Sequence, residues 1–324
     1  MHNVIYFMDT DKDDIYSLII LVAQHYHKKI NLLAIVCDDG FLSYPENLSL
    51  TAFILNLLEV DIPVFRGENR NSYLKQTRNF PPEFISSYLL MMKKNFNYQF
   101  KHVNKPWIDV LVKTLFQQEN NSLEILVTGN LTSLSYLIRR YPLLKHKINK
   151  VIVMGGNVNV KGNVLPLDLK NTFIYPDAEY NFWLDPDAVS HVLELLRNKV
   201  ELVPLDCTNY APLNQEVISQ IENQKHYSSD VYLNKIYQIF IKLLRTTLET
   251  ENGNLYLWDL VATIIFLKYN IHQKLNYHPL KISMTGKIIP YYGNKHLYYY
   301  FIDNQILIET IKYSILNPHN GILT

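Results

Sequence analysis

The chain has 324 residues, 48% hydrophobic and 19% charged, which is typical of a globular protein with ample length for a large core. Its formal net charge of +1 argues against nucleic acid or an anionic membrane surface as a partner. Its two cysteines indicate no disulfide framework, no apolar run reaches the ~18 residues of a membrane span, and its first residues do not resemble a signal peptide, so we expect a soluble, cytoplasmic protein.

Short apolar runs alternate with longer amphipathic segments along most of the chain. The pattern predicts strands at residues 4–8, 32–37, 62–65, 124–127, 150–154 and 200–204. It predicts helices at residues 15–27, 45–58, 107–117, 131–141, 186–196, 213–224, 228–250 and 258–268. A β-hairpin followed by a further strand or helix is expected over 280–311. This alternation is typical of a mostly parallel, Rossmann-like α/β sheet flanked by helices, in which ligands bind at the carboxyl ends of the strands.

Residues 66–106 interrupt the alternation. Their periodicity is poor and they contain Pro81-Pro82, so the segment is long for a compact connection. It is interpreted as a partly helical insertion or a mobile functional loop. No repeat or disordered linker divides the chain, and a single domain over 1–324 with this one insertion is expected.

Four acids lie within six positions directly after the first predicted strand, in "MDTDKDD". Helix capping explains some of them, because Asp13 and Asp14 open the next helix. An EF-hand loop would require Gly where Asp14 stands and Glu where Ile20 stands, so that motif is excluded. A divalent cation would offset the repulsion among these carboxylates, and it could also bind and acidify a water molecule.

Further segments place acids, amides or glycines at predicted strand ends or helix starts. They are "ILVTGNLTSLSYLI" (125–138), "VIVMGGNVNVKGNV" (151–164), "PDAEYNFWLDPDAV" (176–189) and "NLYLWDLVATIIF" (254–266). Because the carboxyl ends of parallel strands meet at one edge of a sheet, so regular a placement indicates a single site there.

Taken in order, these segments resemble the inosine–uridine-preferring nucleoside hydrolase family, in register from about residue 3 to 270. Alignment without gaps to the family's DTDPGIDD places Asp13-Asp14 on its final DD and Asp9 on its second Asp. Phe7 then stands where the family has its first Asp, which is a departure. "VTGNLTSL" resembles the family's TGPLTNL, "VIVMGGNVNVKGNV" its IVIMGG…GN, "AEYNFWLDPDAV" its AEFNIFxDPEAA, and "LWDLVA" its late HD or WD helix start.

The resemblance implies Ca²⁺-dependent hydrolysis of the N-glycosidic bond of ribonucleosides to ribose and free base. It implies a calcium site, with Asp9 also acting as the general base. The implied ligands are the carboxylates of Asp9, Asp14 and Asp259 and the backbone carbonyl of Thr128. It also implies a ribose-binding set, in which Asp38 and Asp39 are alternatives for one position. The members of that set are Asp13, Asp38, Asp39, Asn163, Glu179 and Asn181.

Trp258 occupies the position where some family members carry a His that can protonate the departing base. An indole there resembles the purine-preferring members, which stack the base on it, and stacking is worth ~1–3 kcal/mol per base. The resemblance therefore favours a purine nucleoside, cleaved through an oxocarbenium-like transition state. The family's substrate loop would fall within 68–106. Candidates for base contacts there are Tyr73, Tyr88, Phe96 and His102.

Other interpretations remain open at this level. A haloacid-dehalogenase-like phosphatase also places two Asp one residue apart after its first strand, as Asp9 and Asp11 are. Phe7 and the unusual 66–106 segment would suit a non-catalytic nucleoside-binding protein on the same fold. Thr128 could belong to a simple tight turn, and Trp258 could be a core residue. The side-chain amides of Asn163 and Asn181 could only form hydrogen bonds with the backbone of their loops. A homodimer and a homotetramer are both compatible with the sequence.

Overall fold

The structure is a computed structural model that describes residues 1–70, 82–164, 177–225, 228–250 and 255–317. Its centre is an eight-stranded sheet with the strand order β3-β2-β1-β4-β5-β6-β10-β9. Neighbouring strands are parallel except for the β9–β10 pair, which is antiparallel. These strands are β1 (His2–Met8), β2 (Ile30–Cys37), β3 (Val64–Arg66), β4 (Leu123–Val127), β5 (Ile148–Met154), β6 (Val200–Val203), β9 (Lys274–Ile282) and β10 (Ile288–Phe301). A separate antiparallel pair consists of β7 (Pro212–Leu213) and β8 (Leu255–Tyr256).

Helices cover both faces of the sheet. In chain order they are α1 (Lys12–Tyr26), α2 (Glu46–Leu57), α3 (Pro82–Phe96), α4 (Leu111–Phe116), α5 (Thr132–Arg140), α6 (Tyr180–Leu184), α7 (Pro186–Leu196), α8 (Leu205–Thr208), α9 (Gln215–Asn223), α10 (Val231–Thr250), α11 (Trp258–Phe266) and α12 (Asn304–Leu316). Short 3₁₀ turns lie at Ile108–Val110, Pro142–His146 and Arg197–Lys199. None of the helices within the described ranges is both long and apolar enough to cross a membrane.

Strand β1, which lies between β2 and β4, is buried on both sides, as expected for a parallel strand covered by helices. Val4, Tyr6 and Met8 point into one hydrophobic core, with residues of α1, α10, α11 and α12. Ile5 and Phe7 point into the other core, with residues of α4, α5 and α7. Alternation of side chains along a strand therefore places Tyr6 and Phe7 in different environments.

The predicted α/β class is confirmed, with several local differences. The helix expected at 107–117 is split into a 3₁₀ turn and α4. The last expected element is a helix, α12, whose first turn is capped by the Asp303 carboxylate. Within the segment 66–106 the structure has one described helix, α3, whereas residues 71–81, including Tyr73, lie outside the described residues.

Backbone hydrogen bonds hold the carboxyl ends of three adjacent strands together. The amide of Asp38, after β2, donates to the carbonyl of Met8 at 2.7 Å. The amide of Thr128, after β4, donates to the carbonyl of Phe7 at 3.0 Å. Both bonds extend the sheet beyond its last residues, so the chain segments that follow β1, β2 and β4 leave from one place.

Phe7 provides a test of this packing, because its fully buried ring lies opposite Val36 and Val127 in the apolar core. Phe7→Asp would bury an unpaired carboxylate there, and we expect it to reduce the free energy of unfolding by about 3 kcal/mol or more. Phe7→Leu, which keeps the site apolar, should cost only about 1–2 kcal/mol. Urea denaturation measures both variants, and equal stabilities would contradict the assignment of Phe7 to the core.

Candidate active site

Asp9 is the first residue after β1, and two hydrogen bonds, each donated by a backbone amide, fix its position. Its own amide donates to Asp14 Oδ2 at 3.1 Å, and its Oδ2 accepts the amide of Phe41 at 2.7 Å. Asp9 is 5% exposed. The residue after it, Thr10, has a φ of 69°, in the left-handed region, which turns the chain sharply into α1.

Two glycines leave room for Asp9. A Cβ built at Gly40 would collide with the Asp9 carboxylate. A Cβ built at Gly129 would lie 3.0 Å from the Asp9 amide nitrogen, which is closer than most real contacts. The loops after β2 and β4 can therefore approach Asp9 closely only because neither residue has a side chain.

Asp11 and Asp14 cap the amino terminus of α1. Asp11 is the N-cap residue, and its amide donates to Asp14 Oδ2 at 3.0 Å, which completes a capping box. Asp14 Oδ1 also accepts hydrogen bonds from the hydroxyls of Tyr6 and Thr128. Helix capping is therefore the right interpretation for Asp11 and for part of the role of Asp14, but the cap does not involve the carboxylate of Asp9 or Asp13.

Asp13 meets an acid from the far end of the sequence. Asp259, at the start of α11, lies close enough to Asp13 for the Asp13 carboxylate to raise its pKa. Asp13 is 6% exposed and Asp259 is 4% exposed. Two carboxyl groups can share a hydrogen bond only if one of them is protonated, or they need a cation beside them. The structure therefore brings acids from residues 9–14 together with the acid after Trp258.

Asp9, Asp13, Asp14 and Asp259 form an acidic cluster, in which each carboxylate disfavours the negative charge of the others. Burial raises the pKa of Asp259, and the nearby carboxylates, Asp13 first, raise it further. Burial and neighbouring acids likewise raise the pKa of Asp13 to about 8 and that of Asp9 well above its ordinary value. Burial raises the pKa of Asp14 in spite of its hydrogen bonds. The cluster therefore has a strong preference for a positive charge or for bound protons.

The residues fit a hard divalent cation by the chemistry of their donors. Carboxylate and carbonyl oxygens are the ligands that Ca²⁺ prefers, and a cation would cancel the repulsion just described. In their present positions, no three His, Cys, Asp or Glu side chains of the described segments are arranged to hold a metal ion. Small side-chain rotations would therefore have to accompany binding.

The predicted ribose-binding residues after β5 are engaged mainly with backbone. Glu179 is the N-cap of α6, and its carboxylate accepts the amides of Gly156, Asn181 and Phe182 at 2.8–3.1 Å. The side-chain amide of Asn181 donates to the Thr128 carbonyl at 2.7 Å. Asn163 is half-buried, and its Oδ1 accepts the amide of Tyr180 at 2.8 Å. Asn181 thus lies against the predicted calcium-ligating carbonyl, whereas Asn163 and Glu179 organise the segment beside it.

Asp38 and Asp39 are both completely buried after β2. The hydroxyl of Ser133 donates to Asp38 Oδ1, and burial raises the Asp38 pKa well above its ordinary value. The carbonyl of Asp39 accepts Arg70 Nε at 2.6 Å and Asn130 Nδ2 at 3.2 Å. Asp14 raises the Asp38 pKa further, which places Asp38 near the acidic cluster.

Trp258 is half-buried. Its Nε1 donates to Asn209 Oδ1 at 3.0 Å, and its ring stacks on Tyr256 with centroids 5.4 Å apart and an interplanar angle of 10°. Its neighbour Asp259 is in the acidic cluster, whereas the indole itself contacts Asn209 and Tyr256. Of the candidates from the insertion, Tyr88 is buried, Phe96 is half-buried with the Lys242 ammonium over its ring, and His102 is exposed.

Several groups that hold the acids in place were not predicted from the sequence. They are the hydroxyls of Tyr6 and Ser133, the backbone amide of Phe41 and the missing side chain of Gly40. Ser133 lies inside the "VTGNLTSL" motif and Gly40 directly follows the Asp pair, so these two could have been suspected. A backbone amide carries no sequence signal.

A cavity of about 470 Å³ lies between α5 and α7, away from the acids. Its lining includes Arg139 and Arg140 together with Asp185 and Asp187, and it contains none of the predicted site residues. Asp185 caps α7 and accepts the hydroxyl of Thr132 at 2.6 Å. The lining carries charges of both signs and none of the clustered acids, so the candidate site stays at the acidic cluster.

Comparison with known proteins agrees with the fold and the order of the segments. The family model described as inosine-uridine preferring nucleoside hydrolase matches residues 4–296. The uridine nucleosidase of Saccharomyces cerevisiae is 27% identical over 232 residues, which are 68% of this chain and 62% of that protein. A probable ribonucleoside hydrolase of Dictyostelium discoideum is 30% identical over 130 residues, 39% of this chain and 34% of that protein. The chain thus matches less than two thirds of the length of either relative.

Solved structures resemble the fold over nearly its full length. The inosine-uridine preferring nucleoside hydrolase from Bacillus anthracis has a TM-score of 0.77 at 20% identity, covering 97% of this chain and 99% of that one. The purine-preferring ribonucleoside hydrolase from Gardnerella vaginalis has a TM-score of 0.69 at 17% identity, covering 97% and 98%. With the family model matched over most of its length, the chain belongs to the inosine-uridine preferring nucleoside hydrolase family.

The acidic cluster predicts an unusual dependence of stability on pH. Because the folded acids have raised pKa values, the native chain binds more protons than the unfolded chain between the ordinary pKa of about 4 and the raised value of about 8 for Asp13. In the presence of a chelator, the free energy of unfolding should therefore fall by at least ~1 kcal/mol as the pH rises from 5 to 8.

Denaturant titrations at both pH values measure this fall. Asp13→Asn should make the pH dependence shallower, whereas Asp187→Asn, at an exposed position, should leave it unchanged. A chelated protein that became more stable between pH 5 and pH 8 would contradict the description of the cluster.

Proposed function

We propose that the chain hydrolyses the N-glycosidic bond of ribonucleosides, releasing ribose and free base, with Ca²⁺ as cofactor and purine nucleosides as preferred substrates. The observation that carries the proposal is the meeting of Asp13 with Asp259 beside Asp9 and Asp14, in a chain of this family. A buried acidic cluster at the carboxyl ends of parallel strands suits a site for a cation and a sugar.

Ca²⁺ would be held by the carboxylates of Asp9, Asp14 and Asp259 and by the carbonyl of Thr128. Bound there, it would supply the charge that lowers the pKa of a water molecule and holds sugar hydroxyls. The same charge would lower the raised pKa values of the surrounding acids, so that they are ionised at neutral pH.

Asp9 is proposed as the general base. The Phe41 amide fixes its Oδ2, and the amide of Asp9 itself is fixed by Asp14, so the carboxylate has a defined orientation toward the cluster. With the cation bound, Asp9 would be ionised at neutral pH, which is the state a general base requires. Asp9 would take a proton from the water molecule as that water attacks the anomeric carbon.

The sugar would be bound by Asp13, by Asp38 or Asp39, and by Asn163, Glu179 and Asn181. Cleavage of an N-ribosidic bond builds positive charge on the sugar ring, and carboxylate and amide oxygens around the ring stabilise that charge. Glu179 is held by three backbone amides, so its carboxylate is rigid, which favours electrostatic stabilisation without reorganisation.

The preference for purines is proposed from Trp258. The names of the relatives differ on this point, since the yeast protein is a uridine nucleosidase and the Gardnerella protein is purine-preferring. Trp258 is half-buried next to Asp259, and its orientation is fixed by Asn209 and Tyr256. A fixed indole at the border of the site would stack on the larger purine base more extensively than on a pyrimidine.

The phosphatase alternative is not favoured. It needs Asp11 as a catalytic acid, but the Asp11 carboxylate accepts the Lys12 amide at the start of α1 and serves as a helix cap. The buried acids beside it would also repel a phosphate.

Asp9→Asn tests the proposed base and ligand together. We expect at least a 1,000-fold loss of nucleoside turnover, of the order seen when a catalytic base is removed, and weaker Ca²⁺ binding by calorimetry. The unfolding free energy should not fall, because the substitution removes a repelled carboxylate. Asp11→Asn is the matched control, since Asn caps helices as well as Asp does, and it should keep most turnover. Turnover by Asp9→Asn close to that of the unchanged protein would refute the role.

Trp258→Ala tests the base preference. The loss in kcat/KM should be about tenfold larger for inosine than for uridine, because stacking contributes ~1–3 kcal/mol and depends on ring area. Trp258→Phe, which retains an aromatic face, should restore part of the purine activity. Steady-state kinetics measures the loss in kcat/KM for inosine and for uridine. Equal losses for both would exclude Trp258 as the stacking surface.

A further inference from the structure

Tyr88 of α3 is buried beside the acidic cluster. It is 3% exposed, on the inner face of α3 with Met91 and Met92. Its ring packs edge-to-face on Phe41, with centroids 5.4 Å apart and an interplanar angle of 70°. Since the Phe41 amide holds Asp9, a short path of direct contacts connects Tyr88 with the proposed general base.

The hydroxyl of Tyr88 has no hydrogen-bond partner within the described part of the chain, although it is shielded from solvent. Buried hydroxyls are nearly always paired, because an unpaired one loses its bonds to water without replacement. An unpaired buried hydroxyl beside a candidate site therefore needs an explanation, and a ligand that pairs with it is one.

The acids of residues 11–14 lie near Tyr88. Burial raises the pKa of Tyr88 well above its ordinary value, and the carboxylates of Asp11, Asp14 and Asp13 raise it further, together with Tyr16. These acids are close enough to act on the hydroxyl, yet none of them accepts its proton in a hydrogen bond. A group that accepts a hydrogen bond on one side and donates one on the other would pair with both the tyrosine hydroxyl and a carboxylate.

We propose that Tyr88 is a substrate-binding residue whose hydroxyl donates a hydrogen bond to a ribose hydroxyl of the bound nucleoside. This inference rests on the proposed function and assigns one contact within it. A sugar hydroxyl accepts from Tyr88 and at the same time donates to a carboxylate such as Asp13, so it pairs both groups. A nucleobase also carries hydrogen-bond acceptors, and the deoxy analogues described below distinguish it from the sugar.

Tyr88→Phe removes only the hydroxyl. We expect a 3- to 10-fold loss in kcat/KM for inosine, expressed mainly as a higher KM, which corresponds to the net value of one hydrogen bond. The free protein should be as stable as the unchanged chain or more stable, because the removed hydroxyl has no partner there. A merely structural hydroxyl would show the opposite, with lower stability and unchanged KM.

Tyr98→Phe is the matched control. Tyr98 is also buried near the insertion, at 4% exposure, but its hydroxyl donates to Ser49 Oγ at 2.9 Å. We expect this variant to lose stability and to keep the KM of the unchanged protein. If the two variants behave alike in both measurements, Tyr88 has no special role and the inference is wrong.

Deoxy analogues identify the contact. The 2′-, 3′- and 5′-deoxy forms of inosine are compared on the unchanged protein and on Tyr88→Phe. For the analogue that lacks the contacted hydroxyl, the two proteins should have the same affinity, whereas the other two analogues should retain the 3- to 10-fold difference. A difference that persists for all three analogues would mean that Tyr88 does not bind the sugar.

The same nucleosides are also titrated by calorimetry, so that binding is measured independently of turnover. Binding without hydrolysis by the unchanged protein would refute the proposed function, while weaker binding by Tyr88→Phe would still support the contact. Hydrolysis with equal binding by both proteins would refute the contact alone. Absence of both binding and turnover would refute both.

Discussion

The contact between Asp13 and Asp259 is the constraint on which the rest of the site depends. It joins the start of α1 to the start of α11, 246 positions apart in the chain, through two groups that repel each other when ionised. Like charges repel strongly where water is largely excluded, and Asp14 and Asp9 add to the repulsion that Asp13 exerts on Asp259. The apolar cores on both faces of the sheet must supply the energy that holds these acids together. The ionisation state of the acidic cluster then depends on whether a cation or protons are bound to it.

The sheet brings the acids close because β1 and its neighbours β2 and β4 end side by side. Asp9 follows β1 directly, and the loops after β2 and β4 pass on either side of it. Gly40 and Gly129 are required at these positions, since a side chain at either would meet Asp9. Asp14 is attached to the same point through Tyr6 and Thr128, so a helix cap, two strands and the proposed base form one connected unit.

Local patterns and the order of the motifs were sufficient to predict many of the secondary-structure elements from the sequence. The helix expected at residues 186–196 is found with those bounds, because Asp185 supplies the cap and Pro186 begins the helix. The assignment of Asp9 rather than Asp11 to the position after β1 agrees with the structure, in which Asp11 is the cap residue. The partners of the acids could not be predicted, since Tyr6 looks like any strand residue and the Phe41 amide has no signature. Phe7 shows the same limit, because only the strand's alternation between two cores reveals that it faces away from the acids.

Asn181 gives the predicted sugar-binding and cation-binding residues a physical connection. Its side-chain amide donates to the Thr128 carbonyl, the oxygen expected to face the cation, and its backbone amide donates to Glu179. A carbonyl oxygen has two lone pairs, so this hydrogen bond orients the Thr128 carbonyl while leaving a second lone pair for a cation. Movement of the α6 segment toward or away from a sugar would therefore shift the carbonyl as well. Through this single amide, the segment that carries Glu179 is attached to the end of β4, so a residue expected to touch ribose also orients an expected cation ligand.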